Sequence, residues 1–514
     1  MSEKKRVIVL EELAPEGIER LRSEGLAVED GSGWDAGERR RRISGCHGLI
    51  AGPAHAVSAE LLRAAGDLQV VGRTGSSVVG VDVAEATKRG VIVVNTPQSN
   101  AISAAEQALA LVLACACDMA VAHADLRAGT WAPGKWAQSS VEVRGRKLGI
   151  VGHGQVVELL TEGALAMGMS VLDGPARIYA EADFIVVDPP GTEPTHGLVG
   201  DREFAQMKDG VRVVSLAPAG VVDPAAWVRA IESGKVAASA LALRQSDLSG
   251  GGPLVAREDV LLVPHLEEST VDARSRAALM IAGQVAAVLR GEFASHAVNV
   301  PLTLVDDAAE RMPYLGLCAQ LGRLAVGLGG VAVKQLEITY GGSFAYFDTH
   351  ILTLGVLEGV LAGQGEGPVN YVNAASLAEA HGLTATETTQ SVLPDFPRLI
   401  TVSAAGARGP VTVSGTSLGP EHKSRLVHVF GEDIDIDPAP HMLFLRYVDA
   451  PGVGGAVGTM LGEWGVNIGH MSVGRGTSER EAVMALTLDE PLDETQLDQL
   501  VERCGLSFGA GVEL

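Results

Sequence analysis

The sequence has little cysteine, few aromatic residues and no long apolar run, and each shortage excludes something. Its five cysteines in 514 residues are Cys46, Cys115, Cys117, Cys318 and Cys504. They are odd in number and widely spaced, without a CxxC pair or a zinc-type spacing. A disulfide framework and a zinc site are therefore excluded, and a reduced, cytoplasmic setting is implied. The longest apolar stretch, Ala108 to Cys117, is bounded by Glu106 and Asp118. It falls well short of the ~20 residues that cross a bilayer, so it reads as a buried helix or a subunit contact, with no membrane partner. The polar start, Met1 to Lys5, is not followed by an apolar segment and cleavage site, which argues against secretion. Cations are outnumbered, 40 Lys and Arg against 63 Asp and Glu, for a net charge of −23. Such a field repels polyanions, so nucleic acid is not expected as a partner, and a ligand carrying phosphate needs a local cation. The 13 histidines form no metal constellation.

What is abundant is small and apolar, with 63 glycines. Strand-length apolar runs punctuate the first 300 residues: Val7–Leu10, Leu49–Ile50, Gln69–Val71, Val91–Val94, Gly149–Val151, Ser170–Leu172, Phe184–Val187, Val211–Leu216, Ala237–Leu243 and Val260–Val263. Ala- and Leu-rich helical segments separate them, and this alternation implies two mainly parallel sheets. Beyond Pro301 longer alternating runs, Lys334–Tyr340, Leu399–Ala404 and Val411–Ser414, suit an antiparallel sheet. After the acidic stretch from Gly431 to Pro440 the order strand, helix, hairpin, helix, strand predicts a βαββαβ module.

Two motifs carry chemistry. Gly152-His153-Gly154-Gln155-Val156-Val157 stands between an apolar strand and a helical run. Glycines there allow a tight turn and the approach of backbone N–H groups to a pyrophosphate, although Val157 occupies the position where a third glycine normally lets helix and strand pack closely. Asp173, 21 residues past Gly152, ends the next strand, where a carboxylate accepts the ribose hydroxyls of NAD. A structural turn remains the alternative meaning. The second motif is His265, which follows Val260-Leu-Leu-Val-Pro264 and so sits at a strand's C-terminal end, where open α/β sheets bind ligands. Held by a carboxylate such as Asp247, its imidazole could shuttle the proton that accompanies hydride transfer; a turn histidine bonded to backbone is the alternative.

Four segments, Asn95-Thr-Pro-Gln-Ser-Asn100, Ser103-Ala-Ala-Glu106, Gly152-His-Gly154 and Val263-Pro-His265-Leu-Glu-Glu-Ser-Thr270, resemble the long-form D-3-phosphoglycerate dehydrogenases of the D-2-hydroxyacid dehydrogenase family. Val411-Thr-Val-Ser-Gly-Thr416 resembles that family's intervening domain, and Tyr447-Val-Asp449-Ala-Pro-Gly452 with Gly465-Val-Asn467-Ile its ACT domain. The resemblance covers essentially the whole chain. It implies two Rossmann/flavodoxin-like parallel-sheet domains followed by an α+β intervening domain and a βαββαβ ACT domain. The implied boundaries are 1–98 with 271–300 for substrate binding, 99–270 for a shortened nucleotide-binding domain, 301–438 intervening and 439–514 ACT.

The resemblance also implies roles. NAD is the cofactor, held by Gly152, Gly154, Gln155 and Asp173. His265 is the acid/base, and Asp247 takes the place of its orienting glutamate. Near the substrate position, with Asn100, the turn Arg73-Thr-Gly75-Ser76-Ser77 could offer backbone N–H groups as an anion nest for the carboxylate or phosphate of a small-molecule substrate; a tight strand-to-helix turn is the equal alternative. Asp449 and Asn467 stand at effector-serine positions, and Arg425 with Lys423 at a cationic position of the intervening domain. Dimers or tetramers of the chain are implied. Several family residues are replaced: the substrate arginine by Pro218, other phosphate or carboxylate cations by Gly52 and Gln155, a nicotinamide-side aspartate by Ala242 and a histidine by Gln107. Eight residues between Asp173 and Ala182 leave no room for the usual third strand and helix. Glu267 and Glu268 stand where the family has small residues. Three readings follow: an oxidoreductase acting on an altered substrate, a phospho- or phosphono-alcohol or small 2-hydroxy acid; a catalytically silent paralogue that senses an amino acid or binds a partner; and, ranked below these on chemistry, an ordinary phosphoglycerate dehydrogenase working through unfamiliar residues.

Overall fold

The computed structural model describes residues 4–189, 193–244, 252–292, 294–300, 311–330, 333–365, 369–391, 396–419, 422–475 and 481–514. The first sheet joins β1 (Arg6–Val9), β2 (Ala27–Asp30), β3 (Gly48–Ala51), β4 (Val70–Arg73) and β5 (Ile92–Asn95) in the order β2-β1-β3-β4-β5, all parallel. Strands buried on both faces must be apolar throughout, and β3 is buried at all four positions. Val271–Leu289, a helix far along the chain, returns to cover this sheet: a Cβ on Gly72 of β4 would meet Ile281 Cγ1 at 2.8 Å.

The second sheet holds β6 (Lys147–Val151), β7 (Ser170–Leu172), β8 (Phe184–Val187), β9 (Val211–Ser215), β10 (Val236–Leu243) and β11 (Val260–Pro264), again parallel, in the order β11-β10-β9-β8-β6-β7. The direction of winding reverses between β6 and β8. The crevice outside their carboxyl ends is the ligand address of doubly wound sheets. Three-residue β7 is an outermost strand, and the Pro175–Glu181 helix runs from it directly to β8.

The third sheet is mixed. It comprises β12 (Gln335–Gly342), β13 (Thr384–Gln390), β14 (Arg398–Gly406), β15 (Gly409–Leu418), β16 (Lys423–Val429) and β17 (Glu432–Ile436), with only the β12–β13 pair parallel. Two apolar helices, Leu315–Gly329 and His350–Gly363, form its other layer. They touch through glycines: a Cβ on Gly359 would land on the Ala319 carbonyl, and one on Gly322 on the Val356 carbonyl. Asn370 Nδ2 donates to Gly90 O at 2.6 Å, tying this unit to the turn before β5. The fourth sheet, β18 (His441–Val448), β19 (Ile468–Arg475), β20 (Glu481–Leu488) and β21 (Phe508–Glu513), is antiparallel in the order β19-β20-β18-β21, with two helices completing a βαββαβ unit. Among the described residues no single helix is long and apolar enough to cross a membrane.

Candidate active site

At the end of β6 the backbone turns through Gly152-His153-Gly154 into the Gln155–Ala166 helix. Gly154 has φ +90°, a conformation that strains any residue with a Cβ. Gly152 permits a close approach: its missing Cβ would lie 3.0 Å from Asp188 O, where Asp188 N donates to Val151 O at 2.9 Å. The helix starts without a side-chain cap; Val157 N and Glu158 N donate to Gly154 O at 3.0 and 3.2 Å, which leaves the N–H groups of Gln155 and Val156 to meet an anion there. Val157 does not crowd this turn. It stays 3.4 Å from the Gly152 Cβ position, an ordinary contact; further along the same helix Gly163 lets it approach the Ala101–Ala116 helix, since a Cβ there would meet Leu109 Cδ1 at 2.5 Å. These residues fit a dinucleotide's pyrophosphate. Asp173 follows β7 and is exposed, a carboxylate open to a ribose on the sheet's rim.

His265 leaves the carboxyl end of β11, its N–H bonded to Leu243 O at 3.3 Å. The next three residues form a short 3-10 turn, Leu266–Glu268. This turn brings the Glu267 carboxylate back onto the ring: His265 Nδ1 lies 2.6 Å from Glu267 Oε1, and both side chains are 6% exposed. His265 Nε2 and Glu267 Oε2 are buried without a hydrogen-bond partner. Gln107 spans the turn, donating from Nε2 to Pro264 O at 2.9 Å and accepting from Glu267 N at 3.0 Å. Only one orientation of its amide satisfies both bonds.

Asp188, beyond β8, is the third titratable group here. Burial pushes its carboxyl up from the ordinary 3.8 to about 6, with the nearby Glu267 charge adding to the rise and His265 and Arg244 opposing it. A carboxyl raised in the folded state binds protons the unfolded chain has released, so folding loses stability as pH climbs from about 4 to about 6. Asp188→Asn removes that loss. Thermal melts should show little change at pH 4 and a gain of about 1–3 kcal/mol at pH 7.5.

Beyond the Leu266–Glu268 turn, from Glu268 onward, lies a cavity of about 390 Å³ whose lining includes Glu11, Thr74, Gly75, Asn100, Glu268 and Arg274. Arg73 does not reach this cavity as a ligand. Its guanidinium is buried and donates to the carbonyls of Gly52, His55, Pro53 and Val79 at 2.7, 2.8, 3.2 and 2.6 Å, so it shapes the 52–55 loop. Gly75 N is also engaged, donating to Thr96 Oγ1 at 2.8 Å, which removes one N–H from the expected nest; Ser76 is exposed beside it. Asn100 caps the Ala101–Ala116 helix without a side-chain bond and lines the cavity. The cation in this lining is Arg274, one turn into the helix that follows Thr270. Glu11 accepts from Thr74 Oγ1 at 2.9 Å, and burial raises its carboxyl above the ordinary range despite that bond and the Arg73 and Arg274 charges.

Pro218 lines a separate apolar cavity of about 200 Å³ with Trp227, Leu241 and Leu243. Asp247 lies outside the described residues. Asp449 pairs with Arg475 at 3.2 Å, while Asn467 Nδ2 donates to Asp489 Oδ2 at 3.0 Å, so the two effector candidates have different partners. Arg425 is neutralised by Asp435 and Asp437 at 3.2 and 3.0 Å.

Comparison with known proteins follows this architecture. The family described as D-isomer specific 2-hydroxyacid dehydrogenase, catalytic domain, matches residues 7–299, and the D-3-phosphoglycerate dehydrogenase intervening domain matches residues 311–430. The D-3-phosphoglycerate dehydrogenase of Archaeoglobus fulgidus is 31% identical over 99% of this chain and 100% of its own. That of Mycobacterium tuberculosis is 35% identical over 95% of both. Among solved structures, a Thermus thermophilus protein aligns with TM-score 0.50 and 29% identity over 57% of this chain and 99% of its own. A Treponema pallidum D-lactate dehydrogenase shares the fold at TM-score 0.51, with 22% identity over the same 57% and 99% of its own chain.

Proposed function

Because the chain belongs to the D-isomer specific 2-hydroxyacid dehydrogenases, in their long D-3-phosphoglycerate dehydrogenase form, we propose that it is an NAD-dependent oxidoreductase interconverting an alcohol and a carbonyl on a small anionic substrate. The observation that carries this reading is His265, buried at the crevice with Nδ1 engaged and Nε2 unpartnered, at the carboxyl end of the sheet that bears the glycine turn. Nicotinamide, when bound, takes or returns the hydride. The chain's own part is to hold the nucleotide and to move one proton: His265 Nε2 accepts it from the hydroxyl during oxidation and gives it back during reduction. Gly152, Gly154 and the N–H groups of Gln155 and Val156 hold the pyrophosphate, and Asp173 the ribose.

The substrate departs from 3-phosphoglycerate. Pro218, Gly52 and Gln155 replace three cations that hold phosphate or carboxylate in the family, and Arg274 stands beside Glu11 and Glu268 in the cavity beyond the histidine turn. A substrate with a single strongly anionic end, a phospho- or phosphono-alcohol or a small 2-hydroxy acid, suits one guanidinium better than two anionic ends would. The silent-paralogue reading draws on the short outer strand β7, which narrows the adenosine side. An amino acid such as serine would bind between paired copies of the βαββαβ unit at Asp449 and Asn467, displacing Arg475 and Asp489 from them.

Titration with NADH, then assay of phosphohydroxypyruvate against a panel of 2-oxo acids and phosphono-aldehydes, tests the reading. Saturable NADH binding and faster turnover of a panel member than of phosphohydroxypyruvate are expected. Absence of NADH binding up to millimolar, with serine still raising the melting temperature, would leave the sensor in its place.

A further inference from the structure

We propose that Glu267, two residues beyond the histidine in the same turn, is the positioning residue of His265, and that it takes over the role the family gives to the carboxylate at position 247. This rests on His265 being the proton-transfer group. An imidazole nitrogen takes one hydrogen bond in the ring plane, and Nδ1 has spent it on Glu267 Oε1 at 2.6 Å. A second carboxylate could reach only Nε2, the atom that must stay open to substrate.

A carboxylate on Nδ1 fixes the proton there in the neutral ring, leaving the Nε2 lone pair free, which is the state a base needs. The pair is also braced from a neighbouring helix. Gln107 holds Pro264 O on one side of His265 and Glu267 N on the other, anchoring the turn to the buried Ala101–Ala116 helix. Both Gln107 and Glu267 differ from the family residues, and they touch each other. The acid/base unit is thus contained in one five-residue segment, 263–267, resting on one helix.

The test compares Glu267→Gln, Glu267→Asp and Asp247→Asn in the full-length protein. In Glu267→Gln the amide no longer dictates the tautomer, and amide-for-carboxylate exchange at the histidine pair of serine proteases costs about 10⁴ in turnover. We expect kcat to fall at least about 10²-fold further than in Asp247→Asn, with KM and the NADH dissociation constant within about threefold of wild type and partial recovery in Glu267→Asp. Nitrogen-15 spectra of the His265 ring give a readout independent of turnover: Nδ1–H in wild type and Asp247→Asn, a mixed tautomer in Glu267→Gln. A larger loss in Asp247→Asn than in Glu267→Gln, or an unchanged tautomer in Glu267→Gln, overturns the assignment. Failure of NADH to bind overturns the dehydrogenase reading, while the tautomer still decides on Glu267.

Discussion

Replacing His265 with asparagine is expected to lower turnover of the best panel substrate by about 10²–10⁴-fold, the usual worth of a positioned acid/base group, while leaving NADH affinity unchanged. Asparagine is close in size and can still donate to Glu267 Oε1, so the buried carboxylate is not orphaned and the turn should hold its shape. What disappears is the proton acceptor at the Nε2 position. The proposed nucleotide contacts lie on the glycine turn and not on His265, so binding and turnover should separate. Single-turnover kinetics with prebound NADH check this directly. A rate within threefold of wild type would mean that the proton moves through another group, with Asp188 the nearest alternative.

Alanine at Gly359 is the second large effect, and it acts on stability. The added methyl would sit on the Ala319 carbonyl across the crossing of Leu315–Gly329 and His350–Gly363, and both groups are fixed to their helices. No rotamer can relieve the contact, so the helices must separate along a layer that is buried from Ile351 to Leu361 except at Glu358. Overpacking of this kind costs about 1–3 kcal/mol where side chains can adjust, and about 3 kcal/mol or more is expected here, offset by ~1 kcal/mol of improved helix propensity. Gly316→Ala is the control, since nothing lies within 4 Å of its Cβ position on the first of these helices. Denaturant titration should show an earlier transition for Gly359→Ala and an unchanged or later one for Gly316→Ala.

Much of the scaffold is legible in the sequence because parallel strands buried on two faces must be written as unbroken apolar runs. The strands missed are β2, β13, β16 and β17. β2 reads Ala-Val-Glu-Asp, β13 Thr-Ala-Thr-Glu-Thr-Thr-Gln and β17 Glu-Asp-Ile-Asp-Ile, and all three lie at the outer end of a sheet, where one face or both is wet; β16, Lys-Ser-Arg-Leu-Val-His-Val, is an inner strand hidden by its polar first half. In the site the glycine turn and His265 carry spacing signals, so the sequence singles them out. Glu267 carries none. A spacing of two means nothing until a 3-10 turn folds it back, and next to His265 it reads only as added negative charge. Arg274 is hidden for a related reason, since its helix returns across the chain to the first sheet. Arg73 shows the reverse error: a cation beside a nest signals a ligand, but here four backbone carbonyls claim it.

The outer strands of the second sheet have a consequence for the protein's behaviour in a crowded solution. An open sheet ends in rows of unpaired N–H and C=O groups, and a long flat row is a template on which a neighbouring chain can add a strand. This sheet offers little to copy. At one margin β7 is only three residues long, and at the other β11 ends in Pro264, which has no N–H to give. The second sheet therefore ends on a three-residue strand and a proline-ended one, short margins on which a neighbouring chain finds few groups to pair.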